Sequence, residues 1–237
     1  LVPNLKGAEL AIAAGARKLT MPISASREHS LSNIGKTPEE AIEEVKRVCA
    51  LRDSTSVERR PTIEIGISTA FGCTLEGTVS EDWVIEMAGR LAKAGADGIG
   101  LSDTTGYANP RQTKRMFHRL RGEIGAEKMA GAHLHNTRGQ GLANVVAALE
   151  VDVTTFDSSL GGLGGCPFAP GATGNIVTED LVFMLEAMGL HTGIDLDALI
   201  ATREVLLSGL PDEVIYGNVP EAGLTKDFTY ASERNVK

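Results

Sequence analysis

The sequence has little positive charge, few cysteines and no long apolar run. Its 237 residues carry a net charge of −8 and a pI near 5.2, so it lacks the basic surface that nucleic acids and anionic membranes require of a partner. No apolar run approaches the roughly 20 residues that span a bilayer, and no signal peptide is visible. The 3 cysteines contain no Cys-x-x-Cys pair, which argues against a disulfide framework. We therefore expect a cytoplasmic protein with reduced thiols and without a nucleic-acid or membrane partner.

Strand-length apolar segments alternate with helix-length amphipathic segments along the chain. The predicted strands lie at 18–23, 62–69, 98–101, 129–135 and 153–157. The predicted helices lie at 5–14, 37–52, 80–94, 110–122, 142–150, 178–188 and 196–207, and 24–36 is predicted to be a loop. Thr37, Pro38 and Glu40 form a capping box at the start of the second helix. Because no hairpin signal separates the strands, they are predicted to be parallel, in a doubly wound sheet or a (β/α)8 barrel.

The positions of polar residues favour the barrel. Polar side chains follow nearly every predicted strand at its carboxyl end: Ser24, Ser68, Asp103, His133, His135 and Ser158. In a (β/α)8 barrel such residues meet at one mouth, which is the usual place of the active site. A Rossmann-type sheet would carry a Gly-x-Gly-x-x-Gly motif after its first strand, and this chain has none there. The predicted fold is therefore an α/β (β/α)8 TIM barrel.

The number of predicted strands is too small for a closed barrel. A barrel needs eight strands, and the chain opens on Leu1 and a helix instead of a Met and a strand. We expect a barrel fragment without its first two to three strands, spanning 1–208, followed by a polar tail at 209–237. Open barrel edges expose backbone hydrogen-bonding groups, so such a fragment should fold poorly alone.

His133 and His135 are the first candidates for chemistry. On a strand, residues i and i+2 project to the same side, here towards the barrel mouth, while Leu134 faces the helices. Two neutral imidazoles can bind a divalent metal and leave positions open for substrate oxygens. The alternative is a pair of hydrogen-bonded histidines that shapes a loop.

A glycine-rich segment from Gly161 to Asn175 supplies further candidates. Cys166 lies among glycines and prolines that offer little to pack against, so we expect a flexible catalytic loop with its thiol as a general acid. Asn175 can present its amide oxygen to the same metal, or can serve as a left-handed turn residue. Asp103 ends a strand and can bind substrate or cap its own loop. Arg138 can bind an anionic group, or it can be a solvated charge on a loop.

These motifs resemble the 3-hydroxy-3-methylglutaryl-CoA lyase family, within the metal-dependent TIM-barrel lyases and Claisen-type synthases. The resemblance runs from Pro3 to about Leu199. Its most specific parts are His-x-His followed by Thr-x-Gly-Gln at 137–140, Gly-Leu-Gly-Gly-Cys-Pro at 162–167, and Gly-Asn at 174–175 followed by Thr-Glu-Asp-Leu-Val at 178–182.

The resemblance implies a lyase that cleaves a 3-hydroxyacyl-CoA to acetyl-CoA and a keto acid such as acetoacetate, with Mg²⁺ or Mn²⁺ as cofactor. It implies that His133, His135 and Asn175 are metal ligands and that Cys166 and His133 are catalytic. Cys166 would protonate the enolate of acetyl-CoA, and His133 would carry a proton. The same likeness implies that Asp103 and Thr104 line the substrate. It also leads us to expect a homo-oligomer.

Three departures from the family pattern bear on these expectations. An Arg-Asp-Gly segment that supplies a metal ligand and a cation in the family would precede Leu1, so we expect this fragment alone to be inactive. Asn136 stands where well-known members carry Asp, and Arg27 stands where many carry Glu. These departures therefore leave the identity of the substrate's acyl group undecided, and a citramalyl-CoA-type lyase is the nearest alternative. The isopropylmalate and homocitrate synthases resemble the barrel without the Gly-Gly-Cys-Pro loop, and a non-catalytic acyl-CoA-binding or metal-binding remnant is a further alternative.

Overall fold

The computed structural model describes residues 1–165 and 174–234, which belong to two compact units. The first unit holds Leu1–Asp157, and the second holds Ser158–Gly164 together with the described chain from Gly174 onwards. Each unit has its own elements and is described separately below. The predicted boundary between a barrel domain at 1–208 and a tail at 209–237 stays a prediction.

The first unit is built on one parallel sheet. Its strands are β1 (Lys18–Ser24), β2 (Thr62–Ser68), β3 (Gly98–Asp103), β4 (Met129–Leu134) and β5 (Phe156–Asp157). They pair in the order β1-β2-β3-β4-β5, so each strand lies beside the next one in the chain. This succession confirms the predicted α/β class and the parallel pairing, because each crossover between neighbours carries a helix.

In the described part of this unit, six α-helices connect and flank these strands. They are α1 (Leu5–Ala13), α2 (Arg27–Ile34), α3 (Pro38–Ser54), α4 (Glu81–Lys93), α5 (Pro110–Ile124) and α6 (Gly141–Leu149). The predicted capping box is confirmed: Thr37 Oγ1 accepts from the Glu40 N–H, and Glu40 reaches back to the Thr37 N–H. The predicted loop at 24–36 is wrong, because Ser26 caps α2 and Gly35 ends it at φ 65°.

The second unit is helical. Its elements are α7 (Thr178–Ala187), α8 (Leu196–Ala201), α9 (Arg203–Gly209) and α10 (Asn218–Ala222), with a 3₁₀ turn at Leu160–Gly162. The predicted helix at 196–207 is therefore two helices that meet at Thr202. Among the residues that the structure describes, no helix combines the length and the apolarity that crossing a membrane demands.

The core of the first unit lies between the sheet and its helices. Alternate strand residues such as Leu19, Ile65 and Leu101 are at most 1% exposed, and α5 buries Phe117 and Leu120. Burial of each such side chain contributes about 1.5–3 kcal/mol relative to exposure. The opposite face of the sheet is an open groove whose lining includes Lys18, Glu64, Ser102, His133 and Asp157. Because the apolar side chains of the strands are buried on one face of the sheet, the polar side chains lie on the opposite face.

A β-bulge interrupts the pairing of β3 with β4. Ile99 pairs with Met129, but Leu101 pairs with Ala132, so β4 holds one residue more than β3 across this interval. Glycines accommodate it: a Cβ on Gly100 would lie 2.6 Å from the Gly131 carbonyl oxygen, and one on Gly131, at φ 145°, would lie 2.6 Å from the Thr155 oxygen. The bulge is followed directly by the two histidines.

Candidate metal centre

Polar residues gather at the carboxyl ends of the strands, as predicted. Ser24, Ser68, Asp103 and Asp157 are the last residues of β1, β2, β3 and β5. The register pairs Ser24 with Ser68 and places His133 between Ser102 and Asp157. In a parallel α/β sheet this end carries the functional loops.

His133 and His135 lie on the same side of β4. Their Nε2 atoms are 3.2 Å apart, and their ring planes meet at 61° with centroids 5.2 Å apart. Leu134, between them, is fully buried on the other side. The strand alternation read from the sequence therefore places both imidazoles correctly.

Asp157 orients His133. Its Oδ2 lies 3.3 Å from His133 Nδ1, and this contact holds the pKa of the Asp157 carboxyl below its usual range. A carboxylate that accepts the Nδ1–H of a histidine leaves the Nε2 lone pair free for a cation, the arrangement typical of histidine ligands. Sequence reasoning missed Asp157, although the position of an aspartate at the end of a predicted strand was the signal for it.

The spacing of the two Nε2 atoms fits a shared metal ion. Two nitrogens about 2.1 Å from one ion and at right angles to each other lie about 3.0 Å apart. The observed separation is 3.2 Å, which a hydrogen bond between the two rings also explains. Over residues 1–165 and 174–234, no three His, Cys, Asp or Glu side chains converge as the ligands of a metal would.

Asp103 and Thr104 tie together the loops that surround this edge of the sheet. The Asp103 carboxylate accepts the N–H groups of Tyr107 (2.8 Å) and Ala108 (3.1 Å), and burial raises its pKa to about 6. Thr104 Oγ1 accepts the N–H of Thr69, a buried residue at φ 55°. Both predicted substrate residues thus hold backbone in place, and their role towards substrate stays a prediction.

Arg138 has a structural partner that the sequence did not reveal. Its Nη1 donates to the carbonyl oxygens of Thr105 (2.9 Å) and Gly106 (3.1 Å), and its guanidinium lies 4.5 Å from the Tyr107 ring centroid. Arg138 is nevertheless exposed, so the solvated loop charge remains one of its two alternatives. The cation also joins the loop after β3 to the loop after β4.

In the second unit, Asn175 has a buried amide oxygen with an unused hydrogen-bonding capacity. Its Nδ2 donates to the Leu163 carbonyl oxygen at 2.8 Å, whereas Oδ1 has no partner among the residues that the structure describes. The left-handed turn suggested for Asn175 is wrong, because Asn175 does not belong to the described residues with positive φ. A buried amide oxygen of this kind fits a metal ligand, since hard divalent cations prefer oxygen donors.

A closed cycle of hydrogen bonds holds the start of the glycine-rich segment. Gly161 N–H donates to the Glu179 carboxylate, and Glu179 Oε1 accepts from Arg203 Nη1 at 2.6 Å. Arg203 also donates to the Tyr216 carbonyl oxygen at 2.8 Å, and Tyr216 N–H returns to the Gly161 carbonyl oxygen at 2.7 Å. Glu179 is fully buried, so this cycle is part of the interior of the second unit.

Cys166, the predicted loop acid, lies outside the described residues, and its role stays a prediction. The other thiols are buried. Burial raises the pKa of Cys49 to about 11, which keeps that thiol protonated and inert. Cys49 and Cys73 are therefore packing residues.

The chain is similar to known acyl-CoA lyases over most of its length. A family model described as HMGL-like matches residues 1–206. Hydroxymethylglutaryl-CoA lyase YngG of Bacillus subtilis is 39% identical over 204 residues, which cover 86% of this chain and 67% of that protein. The (R)-citramalyl-CoA lyase of Chloroflexus aurantiacus is 42% identical over 212 residues, which cover 89% of this chain and 65% of that protein.

A solved structure extends this likeness to the fold. The HMG-CoA lyase of Acinetobacter baumannii, in complex with coenzyme A and 3-methylmalate, has a TM-score of 0.87 and 42% identity over 96% of this chain and 72% of that chain. The predicted TIM-barrel class is confirmed by this likeness. The chain spans about two thirds of the length of these curated relatives, 67% and 65%. With the family model and these identities together, the chain belongs to the HMGL-like family, the family of the hydroxymethylglutaryl-CoA lyases.

Proposed function

We propose that this chain belongs to a divalent-metal-dependent carbon–carbon lyase. Its substrate is a 3-hydroxyacyl-CoA of the 3-hydroxy-3-methylglutaryl-CoA type, and its products are acetyl-CoA and a keto acid such as acetoacetate. The observation that carries the proposal is the facing imidazole pair of His133 and His135, with Asp157 behind His133. The relatives named above act on acyl-CoA thioesters, which supports this class of reaction.

The chain supplies neutral donors to the ion. His133 and His135 would hold Mg²⁺ or Mn²⁺ through Nε2, and we assign Asn175 Oδ1 as a further ligand because it is buried without a partner in the described chain. When bound, such an ion polarises the substrate hydroxyl and lowers its pKa. Asp157 keeps the His133 ring in one tautomer, with Nδ1 protonated, so that Nε2 faces the ion.

The remaining residues move protons and shape the site. Cleavage transfers the hydroxyl proton to a base, and the electrons of the broken carbon–carbon bond form the enolate of acetyl-CoA. We assign Cys166 as the acid that protonates this enolate carbon. His133 is the proposed proton carrier, a role constrained by its proposed use of the Nε2 lone pair as a metal ligand. Asp103 and Thr104 hold the loops that we propose line the substrate.

A citramalyl-CoA-type lyase is the second candidate. The Chloroflexus relative is 42% identical to this chain, against 39% for the Bacillus enzyme. Arg27 is exposed at the start of α2, where many hydroxymethylglutaryl-CoA lyases carry Glu, and a cation there suits a differently charged acyl group. The two candidates share the reaction and differ in the group released with acetyl-CoA.

One experiment tests the function and its substrate. The product of the complete reading frame is stripped of metal, resupplied with Mg²⁺ or Mn²⁺, and offered either 3-hydroxy-3-methylglutaryl-CoA or citramalyl-CoA. We expect metal-dependent release of acetyl-CoA from one of the two. Failure to cleave either thioester with either metal would contradict the lyase and support the non-catalytic remnant.

The metal ligands are tested by binding alone. We expect His135→Ala to weaken Mn²⁺ binding, followed by electron paramagnetic resonance, by more than the roughly 10–100-fold that changes around ligands cost. His118→Ala is the matched control, because His118 is exposed on α5. Unchanged Mn²⁺ affinity in His135→Ala would refute the proposed site. The cytoplasmic location and the homo-oligomer remain part of the proposal.

A further inference from the structure

The Leu163 carbonyl oxygen in the second unit accepts two side-chain hydrogen bonds. Ser159 Oγ donates to it at 2.5 Å, and Asn175 Nδ2 donates to it at 2.8 Å. A carbonyl oxygen has two lone pairs, so these donors use its full capacity. The position of this single oxygen therefore sets where the Asn175 amide group points.

The Leu163 carbonyl also decides which end of the amide faces it. With the amide reversed, Asn175 Oδ1 would face the Leu163 oxygen, and two acceptors would repel each other. The observed orientation turns Oδ1 to the opposite side, where it is buried without a partner among the described residues. A buried, unpartnered acceptor next to a saturated carbonyl is what a ligand oxygen held ready for a cation requires.

Glycine makes this close approach feasible. Gly164 has φ 105°, and a Cβ added to it would lie 2.7 Å from Asn175 Nδ2. The amide group therefore occupies space that any other residue at 164 would fill.

The segment that carries Leu163 is anchored independently of the amide. The cycle through Gly161, Glu179, Arg203 and Tyr216 holds both backbone groups of Gly161. Ser159 is fixed as well, because its N–H donates to the Ile176 oxygen and its own carbonyl accepts from Thr178 N–H. These two backbone hydrogen bonds hold Ser159 in place, so its hydroxyl can position the Leu163 oxygen.

We infer that Ser159 is a positioning residue for the metal ligand Asn175, acting through the Leu163 carbonyl oxygen. The inference rests on the proposed function, in which Asn175 Oδ1 binds the cation. Loss of the Ser159 hydroxyl frees one lone pair of the Leu163 oxygen, lets that carbonyl turn, and loosens the hydrogen bond that orients the Asn175 amide group. The affinity for the metal falls because the ligand must then be ordered on binding.

The test measures Mn²⁺ affinity by electron paramagnetic resonance on the complete protein. We expect Ser159→Ala to weaken binding roughly tenfold, as changes around ligands do, and Ser159→Thr, which keeps the hydroxyl, to restore it. Ser208→Ala is the matched control, because it removes a serine-to-carbonyl bond of 2.8 Å on the exposed surface of α9. The melting temperature of each variant is measured alongside, and a loss of affinity at an unchanged melting temperature supports positioning.

The outcomes separate this inference from the proposed function. If Asn175→Ala weakens Mn²⁺ binding and Ser159→Ala does not, the ligand assignment stands and the role of Ser159 is refuted. If Asn175→Ala leaves the affinity unchanged, the ligand assignment falls and the inference falls with it. Should Ser159→Ala fail to fold, Ser159→Cys keeps the volume with a weaker donor, and wild-type affinity in that variant overturns the inference.

Discussion

The histidines of the first unit and the asparagine of the second are held in place by different means. His133 belongs to a parallel strand, and the buried Leu134 anchors that strand between the two imidazoles. Asn175 belongs to an irregular segment, where side chains close hydrogen bonds onto backbone groups. The first arrangement rests on apolar burial and period-two alternation, and the second on polar groups that must all find partners. Substitutions around the histidines and substitutions around the asparagine should therefore destabilise their units in different ways.

The largest effect is expected from breaking the buried ion pair of the second unit. Arg203→Met leaves the Glu179 carboxylate buried without its cation, and we expect a loss of about 3–5 kcal/mol in the free energy of unfolding. Hydrogen exchange at the amides of residues 158–164 should accelerate, because Arg203 no longer holds Glu179 and Tyr216, the two partners of Gly161. Arg121→Met, which removes an exposed ion pair with Asp152, is the control and should cost under about 1 kcal/mol. Equal losses in the two variants would contradict the role of the cycle.

A somewhat smaller effect is expected from the apolar anchor of the first unit. Leu134→Ala removes a fully buried side chain and leaves a cavity, so we expect a loss of about 3 kcal/mol in the free energy of unfolding. Leu10→Ala is the matched control, because Leu10 is 60% exposed and its truncation should cost little. Urea denaturation of both variants checks the prediction. A loss below about 1 kcal/mol for Leu134→Ala would show that β4 is held by other contacts.

The smallest effect concerns pH and sharpens the comparison within the first unit. The pKa of Asp103 is raised to about 6 by burial, above the roughly 3.9 of an exposed aspartate, so the folded state binds the proton more tightly. The resulting stability is fully present below about pH 4 and is lost as the pH rises through about 6, a change of roughly 2–3 kcal/mol at most.

The dependence of the free energy of unfolding on pH is measured by denaturation at about pH 4, 5, 6 and 7, a range that spans the unfolded and folded pKa values of Asp103. We expect Asp103→Asn to flatten it, whereas Asp212→Asn, at an exposed site, should leave it intact. A wild-type slope in Asp103→Asn would assign the pH dependence to another group.

Local patterns predicted the sheet and its helices well. Apolar alternation located all five strands, and the capping box at Thr37 and Glu40 located α3. The eight residues of α2 were missed because only Leu31 and Ile34 among them are large and apolar, which hides the helical period. The fifth strand is shorter than predicted, Phe156–Asp157, and the Val153 N–H donates to the Ala148 carbonyl oxygen of α6 instead of to a strand.

The candidate site was predictable to the extent that one strand or one motif carries it. The facing of His133 and His135 follows from strand alternation, and the family follows from the glycine-rich motif. The pairing of His133 with Asp157 depends on the register of β4 against β5, and the pairing of Glu179 with Arg203 joins residues on different helices. The position of Asp157 at the end of a predicted strand was visible in the sequence, but neither of these two pairings was, since packing sets them.

The extra residue of β4 has a consequence for how this protein can change over evolution. Without the bulge, and with β4 unchanged in length, the register would continue from the Ile99–Met129 pair, so His133 would pair with Asp103 in place of Ser102 and would turn towards the helices. Both imidazoles would then leave the groove together, and Leu134 would enter it. The direction of both imidazoles therefore depends on the bulge, so we expect substitutions of Gly100 and Gly131, which accommodate it, to be excluded more strictly than substitutions in the surrounding loops.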